Sequence, residues 1–218
     1  MNSRTILFYT LAILMGGCGT VSTLHPLQTD KNLTFDERLL GVWAEDANEP
    51  EQTWTVERFE DRDPNFYKLT LVDDDDKKGI FEMRLFKLEG DLYVNMAPAL
   101  FPSGKEDIED EPYPYNGFHF ARLHTFAMIT SVEPNLVVGM TEEDELKKLL
   151  EEKPDAVAHT FVEDDKLIVT APTEQLQAFV LKYKTDERLF SNTVTFRRIK
   201  IGAPGSADCS IAEGQKSN

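Results

Sequence analysis

Metal, redox or acid–base chemistry in this 218-residue chain would have to come from four histidines, two cysteines and 39 acidic side chains. His119 and His124 stand five positions apart in a predicted strand, so their side chains leave opposite faces and do not converge on one metal. His25 and His159 have no ligand-spaced partner, and neither H-E-x-x-H nor Cys-x-x-Cys occurs, so no metal site is expected. "DDDDKKG" at 73–79 resembles a calcium loop only in its acids. Counted from Asp73, Lys78 takes the place of the required glycine and Arg84 that of the final glutamate. A solvated hairpin tip explains these charges better. The chain has no G-x-S-x-G, S-x-x-K, P-loop or G-x-G-x-x-G, so nothing in it supports catalysis or a cofactor, and no catalytic residue is assigned. The expectation is a protein that binds rather than reacts.

The remaining reactive group is Cys18. The chain opens "MNSRTILFYTLAILMGGC", with Arg4 ahead of an apolar run over residues 6–15 that only Thr10 interrupts. At about 1.5 Å per residue such a helix crosses roughly half of a ~30 Å hydrocarbon core, which suits an export signal and not a spanning segment. Met15-Gly16-Gly17-Cys18 resembles the lipobox of bacterial lipoproteins. The resemblance implies removal of residues 1–17, a diacylglycerol thioether on Cys18, and an acyl chain such as palmitate on its new amino group. Several acyl chains on one residue hold a protein stably at a membrane. Gly19 is not the aspartate that often retains such lipoproteins at the inner membrane, so an outer-membrane anchor facing the periplasm is expected. Cys209 is then unpaired within the chain, in a Gly/Ser/Ala tail over 202–218 that reads as disordered.

Lys and Arg number 23 against the 39 acids, a net charge of -16. Such a surface repels phosphate backbones, which argues against a nucleic-acid partner. Residues 18–34 contain turn formers and no sustained period, and read as a tether. Residues 35–201 read as one β-rich domain. "TWTVERF" and "YKLTLV" alternate apolar and polar residues, "GIFEMRLFKLEGDLYVNM" is a hairpin turning at Gly90-Asp91, and "GFHFARLHTFAMITSV" and "LVVGM" flank a turn at Pro134-Asn135. Short connections imply antiparallel neighbours. Two amphipathic helices follow, "TEEDELKKLLEEKP" with Thr141 as cap and "TEQLQAFVLKY" starting at Thr173. The hairpin "AHTFVEDDKLIVTA" lies between them and the strand "TVTFRRI" comes last. Residues 97–117, "APALFPSGKEDIEDEPYPYNG", form an unusually long connection in which Pro112 and Pro114 brace Tyr113 and Tyr115, with Phe118 just beyond. Such a loop suits a lid or a partner surface, or the tyrosines cover a sheet edge.

In "LLGVW", Gly41-Val42-Trp43 resembles the Gly-x-Trp that opens the first barrel strand of lipocalins and related calycins after a short helical turn. The resemblance implies that Trp43 packs at the closed base of a barrel against a basic residue of the last strand. Arg198, on the same strand face as Val194 and Phe196, supplies that residue. The expected fold is mainly β with an α+β character: an antiparallel meander or a lipocalin-like barrel, with two helices in the C-terminal half. A barrel of this kind implies an apolar ligand, a small molecule or a lipid, lined by inward positions such as Trp54, Leu69, Met83 and Leu85. The alternative expectation is an assembly module of the cell envelope that uses the 97–117 loop and has a filled core.

Overall fold

Period-two alternation makes one face of each strand apolar, and such faces are buried most completely when the sheet curls onto itself. A computed structural model describes residues 19–48, 50, 52–59, 64–99 and 121–199. Its strands are β1 (Ser22–Thr23), β2 (Leu33–Thr34), β3 (Gly41–Ala44), β4 (Thr53–Arg58), β5 (Phe66–Val72), β6 (Lys78–Leu88), β7 (Asp91–Pro98), β8 (Thr125–Ser131), β9 (Leu136–Met140), β10 (His159–Val162), β11 (Lys166–Val169) and β12 (Asn192–Arg198). Helix α1 (Glu143–Glu152) precedes β10, and α2 (Thr173–Tyr183) precedes β12.

Eight strands close into an antiparallel barrel in the order β6-β5-β4-β3-β12-β9-β8-β7, with β7 pairing back onto β6 from Phe81↔Pro98 to Leu88↔Asp91. The last strand completes the wall between two partners remote in sequence, with Arg198 opposite Trp43 on one side and Val194 opposite Val138 on the other. The helices and the β10–β11 hairpin are thus an insertion between neighbouring strands β9 and β12. They leave the closure intact.

Two cores result. Trp43, Trp54, Leu69, Met83, Val194 and Phe196 belong to the cluster inside the barrel. Strands β6 to β8 are apolar on their outer face as well. There Phe86, Tyr93 and Phe126 pack under Leu146, Leu149, Leu176 and Phe179 of the two helices. A wall apolar on both faces needs a second layer, and the amphipathic helices supply it.

Residues 19–34, expected to be a tether, form part of this second layer instead. Val21 is 2% and Leu27 0% exposed. β1 runs parallel to β11 in a three-stranded sheet with β10, and β2 pairs with β6 at Leu33↔Phe86. The segment is held through its backbone: Leu27 N–H donates to Asn95 Oδ1 at 3.2 Å, Gln177 Nε2 to Leu27 O at 2.8 Å, and Thr173 Oγ1 to Pro26 O at 2.8 Å. Those partners lie 68 to 150 residues away, which is why no local period betrays the packing. Nor does Thr141 cap α1. Its hydroxyl donates to Leu189 O, and Glu142 occupies the cap position without a side-chain bond. Glu143 turns inward, accepting from Leu167 N at 2.8 Å and from Lys147 Nζ at 3.1 Å. β8 begins at Thr125, later than expected, because His124 bridges to Thr23 of β1 instead.

Candidate functional site

The register orients the barrel. One end carries Gly41, the β6–β7 turn, the β8–β9 turn and Arg198. The other carries the β5–β6 turn, the ends of β7 and β9, and the starts of β8 and β12.

The first end is packed around Trp43. Gly41 has φ +137°, a region open to glycine, and a Cβ there would overlap the Arg198 guanidinium. That guanidinium lies 4.2 Å over the Trp43 ring and donates to the carbonyls of Leu40 and Arg38. Trp43 is fully buried and donates through Nε1 to Leu39 O at 2.9 Å. Beside it Phe35 stacks on Tyr67 with centroids 4.6 Å apart, and Arg58 covers Phe35 at 4.2 Å. The Tyr67 hydroxyl accepts from Asp36 N at 2.7 Å and donates to Asp36 O at 3.2 Å. Burial pushes its phenol up to about 12, so it keeps the proton it donates.

The other end is the mouth; incompletely buried apolar side chains occur at both ends, Leu92 at the base and Phe81 and Met96 here. Leu69 and Leu85, nearer the base, are fully buried. Met83 is 4%, Trp54 7% and Leu71 8% exposed, while Phe81 and Met96 are only half-buried. Trp54 packs on Phe196 at 4.4 Å between ring centroids. The four inward positions expected from the sequence therefore share one interior, with Trp54 and Met83 towards the mouth and Leu69 and Leu85 in the packing beneath. Leu71, Phe81 and Met96 were missed and are inward as well: Leu71 and Phe81 stand two residues from Leu69 and Met83, whereas Met96 follows only from its register opposite Met83. Continuing the period-two pattern along β5 and β6 finds Leu71 and Phe81.

The lining is mainly apolar, with Thr125 and Asn192 as inward polar positions at the mouth. The buried polar residues Glu82 and Asn95 alternate to the outside of the wall, and Ser22, Thr23, Gln28, Thr141 and Glu143 belong to the outer layer. On that outer face Asn95 Nδ2 donates to His124 Nδ1 at 3.1 Å, and Glu82 pairs with Arg122 at 2.5 Å. Burial above all, reinforced by the Arg122 and Arg84 charges, holds the His124 imidazole below its ordinary value and hence neutral at pH 7. Among the described residues no three His, Cys, Asp or Glu side chains gather as a metal site. An open groove of about 480 Å³ lies at the base end, lined by Asp91, Leu92, Met128, Ile129 and Glu133. Cys18, Cys209, His119, Tyr113, Tyr115 and Phe118 lie outside the described residues.

What these features define is a class of architecture, a lipocalin-like closed barrel with eight strands and two helices laid on its outer wall. Comparisons with protein-family models, with curated proteins and with solved structures found no match. No helix among the described residues is long and apolar enough to cross a membrane.

Proposed function

We propose that this protein is an exported envelope lipoprotein, anchored through Cys18 at the outer membrane and facing the periplasm, whose barrel binds an apolar small molecule or lipid without chemical conversion. The observation that carries the binding role is the apolar interior. Its wall is mainly apolar, Trp43 and Arg198 pack at its base, and half-buried Phe81 and Met96 stand at its mouth. An eight-stranded barrel is wide enough either to be filled by its own side chains or to hold one small ligand. The anchor is supported by the lipobox-like Met15-Gly16-Gly17-Cys18.

Native mass spectrometry of the chain from residue 19 onward, followed by organic extraction, tests the binding role. A reproducible adduct of an apolar molecule that Leu71→Glu abolishes is the expected result. A bare mass, together with unchanged tryptophan fluorescence on titration with long-chain fatty acids, would overturn it.

A further inference from the structure

If the chain is anchored at Cys18, the structure dictates how the domain meets the membrane. Gly19 is already fixed: its carbonyl accepts from Glu143 N at 2.8 Å, Thr20 bridges to Glu142, and Val21 N donates to Thr141 O. Consecutive Cα atoms stand about 3.8 Å apart, so an anchor on the residue before Gly19 would leave no tether between the lipid and the fold. These contacts lie at the end of β9, and Thr23 bridges to His124 just ahead of β8, so the anchor point is at the mouth end of the barrel.

The same N-terminal strand belongs to the β1-β11-β10 sheet, which carries every exposed large apolar side chain among the described residues: Phe161 at 48%, Val162 at 44% and Leu24 at 40%. The register places Val162 opposite Lys166, and Ile168 between Ser22 and Thr160, so Val162 and the half-buried Ile168 share the outward face with Leu24, two residues beyond Ser22. Phe161 lies on the opposite face of β10, level with buried Leu167, against the His159 ring and with Lys147 Nζ 5.9 Å from its own ring centroid. Elsewhere the acidic surface leaves no comparable apolar patch among the described residues. We propose that the domain is not suspended on a tether but lies directly on the bilayer, with Leu24, Val162 and Ile168 against lipid and the barrel mouth nearer the membrane than the base. This inference rests on the Cys18 anchor proposed above.

The test couples the whole chain from Cys18 onward, carrying Cys209→Ser, through its remaining thiol to a maleimide lipid in phosphatidylethanolamine/phosphatidylglycerol vesicles. Its hydrogen exchange is compared with that of the same chain capped by N-ethylmaleimide in solution. Amides of residues 159–168 are expected to slow severalfold on the vesicles, the base turns at Gly90 and Asn135 to stay unchanged, and Leu24→Glu with Val162→Glu to remove the slowing. Equal exchange at 159–168 in both states overturns the proposal. So does slowing in the capped chain on raising its concentration, which would make a second copy the occupant. Mass spectrometry of the natural chain extracted from membranes reads the anchor separately: an unmodified Cys18 overturns the anchor and this inference together, whereas a lipidated Cys18 with unchanged exchange overturns this inference alone.

Discussion

Gly41 meets two constraints that coincide at one Cα. Its φ of +137° is strained for any L side chain, and the space where a Cβ would stand holds the Arg198 guanidinium. Gly41→Ala should therefore destabilise the fold by about 1–3 kcal/mol, read as a lower urea midpoint. Part of that cost is displacement of Arg198, so the substitution should cost less in an Arg198→Ala background, where only the backbone strain remains. An unchanged midpoint would show that the packing at the base does not depend on this contact. The pairing of Trp43 with Arg198 was legible through the Gly-x-Trp resemblance, with strand alternation placing Arg198 on the face of Val194 and Phe196. The deeper packing roles of Leu69 and Leu85 were not. A strand pattern states which side of a sheet a residue takes but not its height along the barrel, which depends on register with neighbouring strands.

The strands and both helices follow from local patterns, and the structure reproduces them within a few residues. The first elements of the chain do not. β1 is two residues long, makes parallel pairs with β11, and is tied to the start of β8 by reciprocal bonds between Thr23 and His124, N to O at 2.8 and 2.9 Å. That tie predicts a pH dependence. His124 is half-buried beside Arg122, Arg84 and His25, with Glu82 the opposing charge, and its folded-state pKa lies below the ordinary 6.5. The unfolded chain then binds the additional proton, so this contribution to stability is complete above about pH 6.5 and is lost as pH falls towards the folded-state value. The melting temperature should fall on acidification through that window, with faster exchange at the Thr23 amide, and His124→Gln should flatten that part of the profile. An equal fall in the variant would assign the effect to other groups.

At the scale of the whole molecule, stability is shared between the barrel interior and the layer outside it, and residues 19–34 complete the second. Leu27 is fully buried among the outer wall and the helices, so Leu27→Ala should cost about 2–5 kcal/mol. Deleting residues 19–32 should lower the melting temperature further while exposing apolar surface to a dye such as ANS. A truncated chain that melts like the full one would return this segment to the status of a tether. The sequence by itself determined the mainly β class, the antiparallel hairpins and the two amphipathic helices, because each depends on periodicity within a few neighbouring residues, while the residues of the barrel base followed from the Gly-x-Trp resemblance. Only the tertiary structure decided that β12 closes the barrel between β3 and β9, and that the N-terminal segment docks on the outer wall. It alone shows that the exposed apolar side chains gather on the sheet next to Gly19. Those outcomes depend on backbone hydrogen bonds and contacts between segments as much as 150 residues apart, for which a linear pattern carries no signal.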